Sequence, residues 1–374
     1  MIIDEILLKN YRCYQFGRFS FDSKLNVIVG SNATGKTTIL ESINCLSITK
    51  SYRCIDQNEL IKENESYFYL EGTVSYANKK EKIVLYRDKN GCQVKKNNYK
   101  YKKNSEYLGF FNTVVFSATD FLTLKGGPKE KRNLIDLIIC QISKDYISVS
   151  NYYKKLLKER NALLKRLYFE NNSKLQVLLD VISNRMMEYG VKIIETRAKF
   201  IDKISKLASD IHLKISDNTE KLEIHYSPSV KVEDYLIELN KALVDDKKRG
   251  ATSVGPHRDD CIFIINNKNI ASYGSQGQQR NALLSVKLAM AELIFEEKGE
   301  EPVVLLDDVF SELDKNRQNA LISCLNPAFQ TIITAASISD VNDLLLKKAK
   351  IIKIEKKEWG KWKKKNIMPR RYRS

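Results

Sequence analysis

The sequence predicts an α/β protein in which a mixed sheet is flanked by helices and a helical lobe is inserted into the chain. Short, mostly apolar runs at Leu25–Val29 and Pro302–Leu306 are typical of strands buried on both faces. Between them, residues 131–250 carry leucines at helical spacing. We therefore expect a first head segment over 1–130, a helical lobe over 131–250 and a second head segment over 251–374 that ends in a basic tail.

Composition indicates an ordinary folded protein of the cell interior. The 374 residues are enough for roughly two domains, and 43% are hydrophobic. No run approaches the ~20 consecutive apolar residues of a membrane helix, and an N-terminus with acids at Asp4 and Glu5 lacks the charge order of a signal peptide. Seven cysteines are scattered without a CxxC pair, which is typical of reduced thiols. We therefore expect a cytoplasmic protein without a membrane partner.

The chain is strongly basic. Its 63 Lys and Arg stand against 46 Asp and Glu, which gives a net charge of +17 and a pI near 9.3. This excess favours a polyanionic partner, although base bias in the genome also produces lysine-rich proteins. The lysines concentrate locally at Lys95–Lys103 and from Lys347 to the C-terminus. No base-reading module is apparent, so DNA binding would depend on phosphate contacts and on salt.

A glycine-rich loop follows the first apolar run. Gly30–Thr37 fits G-x-x-x-x-G-K-[ST] at every fixed position, and a helical pattern begins near Gly35. Such loops wrap phosphates with backbone N–H groups at a helix N-terminus. Lys36 would reach the β- and γ-phosphates of ATP, and the Thr37 hydroxyl would bind Mg²⁺. The predicted nucleotide-binding residues here are Gly30, Ser31, Asn32, Ala33, Thr34, Gly35, Lys36, Thr37 and Thr38.

Two acids end the second apolar run. Asp307 and Asp308 lie at the carboxyl end of a predicted central strand, where open α/β sheets bind ligands. Asp307 would hold Mg²⁺ directly or through water, and Asp308, pointing elsewhere, would polarise the attacking water as a general base. We thus predict Lys36, Asp307 and Asp308 as catalytic residues, and Thr37 and Asp307 as metal ligands.

A third motif opens a long helix before the acid pair. Ser275 occupies a predicted helix N-cap and Gly277 permits close backbone approach, an arrangement that favours an anion. The order of phosphate loop, long insertion, Ser275–Gln278, acid pair and Ser311–Asp314 is that of ABC ATPases. In that class the serine of one head faces the γ-phosphate held by the other. We therefore predict Ser275, Gly277 and Gln278 as nucleotide contacts, and a homodimer that forms with ATP.

The chain closely resembles the RecF family of bacterial recombination mediators, which belongs with the SMC-like ATPases. The segments Gly255–Asp260 (GPHRDD) and Gly274–Arg280 (GSQGQQR) are close to diagnostic. Other matching segments, spread over nearly the whole chain, are Leu8–Arg12, Gly30–Thr37, Val115–Ser117 with Asp120, Lys125–Pro128, Arg160–Lys165 and Leu305–Asp314. The resemblance implies an ABC-type ATPase head, a P-loop NTPase fold, with a compact helical lobe inserted.

The resemblance also implies a function in recombinational DNA repair and replication. It implies binding to gapped or duplex DNA near single-strand junctions, help in loading recombinase at such gaps, and a link to the SOS response. The mediator protein RecR is an implied partner. ATP would close the dimer on DNA, and weak, DNA-dependent hydrolysis would slowly release it.

Some positions depart from the family pattern. Ser117–Asp120 reads SATD where Ser-Pro-Glu-Asp is usual, and Lys131-Arg132 replaces paired arginines. Transporter ABC domains carry a histidine after the strand that here ends at Thr334, so Thr334 is a weak candidate for a γ-phosphate sensor. An SMC-like or transporter-type subunit that does not act on DNA is one alternative. A non-catalytic scaffold is another, against which the intact lysine and acid pair argue.

Several features allow two interpretations. His257 and Arg258 would relay nucleotide state or contact DNA, or else form a buried polar hinge. The tail Lys361–Arg373, with Trp359 and Trp362, would grip DNA or be a solvated terminus. The lobe's apolar stripes do not continue over enough heptads for a long coiled coil, and we interpret them as ordinary helical core. The residues of the first stripe are Leu156, Leu157, Leu163, Leu164 and Leu167. A second long helix is predicted from Met186 to Ile204.

Overall fold

The computed structural model describes residues 1–355, apart from Asn78, Ala118, Thr119, Phe121, Asn171 and Asp314. The basic tail with Trp359 and Trp362, the centre of the SATD segment and the last residue of Ser311–Asp314 therefore lie outside the described residues.

The strands of the described chain form three sheets. A parallel sheet has the order β14-β3-β13-β12-β8, an antiparallel sheet the order β2-β1-β4-β5-β6-β7, and a small sheet the order β11-β10-β9. Their bounds are β1 (Ile2–Tyr11), β2 (Tyr14–Ser20), β3 (Leu25–Val29), β4 (Tyr67–Tyr76), β5 (Lys79–Asp88), β6 (Gly91–Lys96), β7 (Tyr99–Lys100), β8 (Thr113–Ser117), β9 (Leu222–Ser227), β10 (Asp260–Ile265), β11 (Lys268–Asn269), β12 (Val303–Asp307), β13 (Thr331–Ala335) and β14 (Lys350–Lys353).

The helices flank these sheets and build the lobe. They are α1 (Lys36–Ile48), α2 (Asn104–Tyr107), α3 (Leu122–Lys125), α4 (Pro128–Ile142), α5 (Lys144–Phe169), α6 (Ser173–Ile215), α7 (Tyr235–Lys241), α8 (Leu243–Arg249), α9 (Ile270–Tyr273), α10 (Gln276–Lys298), α11 (Lys315–Cys324) and α12 (Asp343–Leu346). None of the helices described is long and apolar enough to cross a membrane.

The parallel sheet separates two hydrophobic cores. Along β12, Val303 and Leu305 pack with α1 and the antiparallel sheet, whereas Val304 and Leu306 pack with α10 and α6. All four side chains are buried, so the prediction of a strand covered on both faces is confirmed. The mixed α/β architecture is confirmed as well. It arises because each apolar strand face needs its own covering layer.

The lobe is built mainly on α6, which is much longer than the predicted helix over Met186–Ile204. It spans 43 residues because apolar side chains continue along it in both directions, from Leu179 near its start to Ile215 at its end. Near its start it packs on Leu163 and Leu164 of α5, as expected for helical core. The strand β9 lies inside the predicted lobe but pairs with β10 beyond residue 250. The predicted boundary between lobe and second head segment, at residues 250 and 251, therefore separates two paired strands of the small sheet.

Candidate nucleotide-binding site

The parallel sheet brings the phosphate loop and the acid pair to one edge. In the register of β3, β13 and β12, Ile28 lies beside Thr334, and Thr334 lies beside Asp307. The carboxyl ends of parallel strands meet at the same edge, which is where ligands bind in such sheets. Residues that are 270 positions apart in the sequence, Thr37 and Asp307, are thereby in direct contact.

The phosphate loop leads from β3 directly into α1, as predicted. Gly35 is the N-cap and α1 begins at Lys36. Within the loop, Ser31, Asn32 and Ala33 are exposed, while the Thr34 hydroxyl donates to the Ser31 carbonyl oxygen at 2.8 Å. The first turn of α1 contains no acidic residue, so its positive dipole end is available to an anion. The loop has the form and polarity of a phosphate site.

Lys36 is folded back on its own loop. Its Nζ donates to the carbonyl oxygens of Gly30, at 2.6 Å, and Ser31, at 3.1 Å. Burial lowers the pKa of this ammonium, and the carboxylates of Asp308 and Asp307 oppose that effect. A nucleotide phosphate would offer charged acceptors, which bind an ammonium more strongly than neutral carbonyls do.

Tyr14 explains why residue 35 is glycine. Gly35 has a φ of 94°, a backbone conformation that a side chain strains. A Cβ added there would also lie 2.7 Å from the hydroxyl oxygen of Tyr14. That hydroxyl donates to the carbonyl oxygens of Thr34 and Gly35, both at 3.4 Å. The strand β2 thus supports the loop from behind, a role that the sequence did not indicate because it depends on long-range pairing.

Asp307 is the centre of a buried hydroxyl–carboxylate cluster. Its Oδ1 accepts from the Thr37 hydroxyl at 2.9 Å and from the Thr334 hydroxyl at 2.8 Å. Burial raises the pKa of this carboxyl, and the hydrogen bonds from Thr334 and Thr37 partly offset the rise. A buried carboxylate beside a hydroxyl is an all-oxygen donor set that suits Mg²⁺. The predicted metal ligands therefore lie together and fit the ion.

Asp308 has an unusual backbone conformation. Its φ is 55°, in the left-handed region that non-glycine residues rarely adopt. Its backbone N–H donates to the Thr334 hydroxyl at 2.9 Å, and its Oδ1 is buried without a hydrogen-bond partner among the described residues. Strain and an unsatisfied buried carboxylate oxygen together are typical of functional positions. The unpartnered oxygen leaves Asp308 able to accept a proton, which is compatible with the general-base hypothesis.

Ser275 lies at the exposed N-terminus of α10. Its side chain accepts from the Gln278 N–H at 3.2 Å, and the Gln278 side chain accepts from the Ser275 N–H at 3.0 Å, which completes a capping box. The predicted N-cap is confirmed. A Cβ on Gly277 would make only ordinary contacts, so this glycine leaves the helix end open without being required by the fold of one chain.

The same helix end is tied to the lobe. Gln278 Nε2 donates to Glu220 at 2.9 Å, and Glu220 contacts Nε2 of His212 at 3.1 Å. His212 is fully buried, near the end of α6, and its Nδ1 lies 3.1 Å from the Ser285 hydroxyl on α10. Burial lowers the pKa of His212 despite the neighbouring Glu220. This chain of contacts joins the predicted nucleotide residue Gln278 to the long lobe helix.

His257 is half-buried and makes two polar contacts. Its Nδ1 lies 2.7 Å from the Tyr153 hydroxyl and its Nε2 lies 2.9 Å from the Thr252 carbonyl oxygen. Burial lowers its pKa to about 4, so the ring is neutral at neutral pH. Arg258 is exposed, although its guanidinium donates to the same Thr252 carbonyl. The contacts of His257 therefore favour the hinge interpretation.

The hinge is anchored by an ionic network that the sequence did not reveal. Arg197 of α6 donates to Asp136 of α4 at 2.9 Å and to Asp259 at 3.1 Å, and to the Pro256 carbonyl at 2.6 Å. Asp259 is fully buried. A second unpredicted charge is Glu41 in α1, whose buried carboxylate accepts from Arg12. The sequence could have indicated this buried charge only through the position of Glu41 among the apolar residues of α1.

Comparison with known proteins agrees with this geometry. The family model described as AAA ATPase domain matches residues 1–308. The DNA replication and repair proteins RecF of Bacillus cytotoxicus and Bacillus cereus strain B4264 are each 39% identical over 365 residues, which cover 95% of this chain and 97% of theirs.

Solved structures extend the comparison to the fold. The recombination mediator protein RecF with ATP, of the RecFOR pathway, has a TM-score of 0.86 at 38% identity, covering 95% of each chain. The Smc head domain of Pyrococcus furiosus has a TM-score of 0.54 at 18% identity, covering 96% of this chain and 94% of that one, which is a likeness of fold alone. The chain therefore belongs to the RecF family of DNA replication and repair proteins, as its sequence motifs predicted.

Proposed function

We propose that this chain is an ATP-dependent DNA-binding protein of recombinational repair that works as a dimer closed by ATP. The observation that carries the proposal is the contact of Thr37 with Asp307, because it joins the phosphate loop to the acid pair in the form that ATP hydrolysis requires. RecF relatives bear the name of DNA replication and repair proteins, which supports DNA as the polyanion that a chain of +17 charge binds.

We infer a dimer because the phosphate loop of one chain would contact only one side of the γ-phosphate. The phosphate loop supplies backbone N–H groups, Lys36 and Thr37 for one side of a γ-phosphate, and β12 supplies the second metal ligand, Asp307. Ser275 and Gly277 present a second anion-binding helix end, which is exposed to solvent. In a paired arrangement the Ser275 end of one copy would cover the phosphate loop of the other. Two such composite sites would make dimerisation depend on ATP.

Each side chain of the catalytic cluster has a distinct proposed role. Thr37 and Asp307 would hold Mg²⁺, which when bound neutralises charge on the phosphates. Lys36 would leave its loop carbonyls for the β- and γ-phosphates. Thr334 holds Asp307 and the Asp308 backbone in place, so it is a positioning residue rather than a γ-phosphate sensor. The free Oδ1 of Asp308 would accept a proton from the attacking water.

Hydrolysis in this scheme ends an interaction rather than driving a movement. Cleavage removes the γ-phosphate that both copies hold, so the dimer opens. Slow, weak turnover that DNA stimulates suits a timer of residence on DNA. We further propose that the dimer acts in the cytoplasm at gapped or duplex DNA near single-strand junctions. There it would help load recombinase together with RecR. The assignment of the solved RecF structures to the RecFOR pathway supports this proposal.

Size-exclusion chromatography with and without ATP tests the dimer directly. We expect the wild type to be monomeric without nucleotide and dimeric with ATP. Ser275→Arg should remain monomeric with ATP, because the longer cation fills the space meant for the partner's phosphate. Ser148→Arg, at an exposed position on α5, is the matched control and should dimerise. A wild type that stays monomeric with and without ATP would refute the dimer.

A transporter-type or other subunit that does not act on DNA is the alternative function. Transporter ABC domains carry a histidine after this strand, and the residues that follow β13 here, Ala336 and Ser337, lack an imidazole. Thr334, inside the strand, is buried and bonds to Asp307 and to the Asp308 backbone. Both observations argue against a transporter-type switch. Salt-titrated binding to duplex DNA in the presence of ATP decides between the two functions, since phosphate contacts weaken steeply as salt rises.

A further inference from the structure

One edge of the antiparallel sheet holds a disproportionate share of the positive charge. Residues 79–103, which form β5 to β7 and the segment after them, are here called the basic sheet edge. They contain nine lysines and one arginine against two acids, a net charge of +8 out of +17 for the chain. Seven of the lysines are exposed, namely Lys79, Lys80, Lys82, Lys89, Lys100, Lys102 and Lys103.

The strand register arranges several of these lysines on one face. Lys80 and Lys82 are two apart on β5, Lys95 of β6 pairs with Val84 of β5, and Lys100 of β7 pairs with Lys95. The opposite face carries Leu85 and Val94, which are buried in the core over α1. Neighbouring strands lie about 4.8 Å apart and alternate residues about 6.8 Å apart. The exposed Lys80, Lys82 and Lys100 and the half-buried Lys95 thus form a lattice on the face of the sheet opposite to the one that packs over α1.

The remainder of that face differs in charge. Glu5 pairs with Arg18 at 2.7 Å and Glu71 pairs with Lys82 at 2.6 Å, so the central strands are close to neutral. Tyr67 and Tyr86 stack on each other with ring centroids 5.6 Å apart, and the Tyr86 hydroxyl contacts the Asp88 carboxylate at 3.4 Å. The Asp88 carboxylate would repel the phosphates of a single strand whose bases stacked there, and the Lys9 ammonium already lies over the Tyr67 ring, 5.4 Å from its centroid.

We propose that the basic sheet edge is a docking surface for duplex DNA, which it holds through backbone phosphates. The inference rests on the proposed function, in which the protein binds DNA. Lysine ammonium groups are flexible point charges that suit phosphates, and they do not read base edges in the paired manner of arginine. A duplex offers one phosphate charge per about 1.7 Å of its axis, so a lattice of this spacing meets several phosphates at once. These observations favour duplex DNA over single-stranded DNA, because binding of single strands would need accessible aromatic rings on which bases could stack.

The test measures binding of a fluorescent 30-base-pair duplex and of a 30-nucleotide thymidine strand by anisotropy, with ATP, across a salt series. The variant is the triple substitution Lys80→Gln, Lys100→Gln and Lys102→Gln, three exposed lysines of the basic sheet edge. Its control is Lys155→Gln, Lys192→Gln and Lys206→Gln, three exposed lysines of the lobe. We expect the first triple variant to bind duplex at least about tenfold more weakly, with the slope of log K against log salt reduced by up to about 2.7. ATP hydrolysis without DNA and the melting temperature should match the wild type.

Four outcomes would contradict either the docking surface or the proposed function. A wild type without salt-dependent DNA binding would refute the proposed function itself. Wild-type duplex affinity in the sheet-edge variant, or an equal loss in the lobe control, would overturn the docking surface and leave the proposed function standing. Tyr99 is 62% exposed within the edge, and Tyr99→Ala should leave duplex binding unchanged. If it weakened thymidine binding about tenfold while duplex binding held, the assignment to duplex DNA would be wrong.

Discussion

The two proposed halves of the nucleotide site, the phosphate-loop cluster and the Ser275 helix end, differ in how complete they are within one chain. At the phosphate loop, Thr37, Asp307 and Thr334 already bond to one another in a buried cluster, and Lys36 is held by the loop's own carbonyls. At the other half, Ser275 lies on the surface and its recorded partner is Gln278, three residues away in its own helix. One half is assembled by the tertiary fold, and the other is an open helix end.

This difference separates binding from response. In the preassembled half, Lys36 must leave its loop carbonyls to accept a nucleotide, but no second copy is needed, so one copy of the chain should bind ATP. In the proposed dimer, the exposed helix end would gain its anion when a second copy approaches. Gln278 also bonds to Glu220, which contacts the buried His212 of α6, so closure at the second half would be transmitted to the lobe. Substitutions in the first half should affect chemistry, and those in the second half should affect assembly.

The largest effect is expected in the first half, at Asp308. Asp308→Asn keeps the side-chain volume but removes the proposed general base, so ATP hydrolysis should fall about 10²- to 10⁴-fold. Binding of ATP and ATP-dependent dimerisation should persist, which phosphate release and size-exclusion chromatography measure. Asp202→Asn, on the exposed surface of α6, is the control. Normal hydrolysis by Asp308→Asn would remove the general-base assignment.

Lys36→Arg should have the next largest effect. The Nζ atom lies 2.6 Å from the Gly30 carbonyl in a tightly closed loop, and the larger planar guanidinium cannot occupy that place in the same way. We expect hydrolysis to fall roughly 10²-fold, the scale for losing one well-placed donor, with the melting temperature almost unchanged. Equilibrium binding of a fluorescent ATP analogue should weaken less than turnover. Wild-type turnover in this variant would show that Lys36 does not contact the transferred phosphate.

Thr334 provides a sharper test of preassembly. Thr334→Val keeps the shape but removes the donor to Asp307 and leaves the Asp308 N–H unpaired, which should lower the free energy of unfolding by about 1–3 kcal/mol. Hydrolysis should fall about tenfold, a change in barrier of about 1.4 kcal/mol, because both acids lose their support. Thr334→Ser retains the hydroxyl and should restore most of the activity. If the Ser variant were as impaired as the Val variant, packing rather than positioning would explain the residue.

The smallest effect is expected in the second half, at Gln278. Gln278→Ala removes one side of the capping box and the contact with Glu220, and should lower the free energy of unfolding by about 0.5–1 kcal/mol. ATP binding to the monomer should be unchanged while the dimer forms at a higher protein concentration. Gln276→Ala, at an exposed position of the same helix end, is the control. A loss of nucleotide affinity in the Gln278→Ala monomer would contradict the separation of binding from response.

Much of this site was predictable from local patterns. The β3 strand over Leu25–Val29, the start of α1 after Gly35 and the N-cap at Ser275 agree with the structure, since each depends on residues adjacent in the chain. The support of Gly35 by Tyr14 was not predictable, because it requires a strand from another part of the sheet. The extent of α6 was underestimated, because its packing partner changes from α5 to α10 along its length.

The sequence by itself determined the chemistry: a lysine, a hydroxyl and two acids in the spacing of an ATPase, and the family to which they belong. Both the chemistry and the family can be read from residue identity and local backbone preference, which depend on residues adjacent in the chain. The tertiary structure alone decided how those groups are held. Thr334 meets both acids because parallel strands set its register, and His257 is neutral at neutral pH because burial lowers its pKa to about 4. Such contacts join residues far apart in the chain, and only the packed sheet and lobe bring them together.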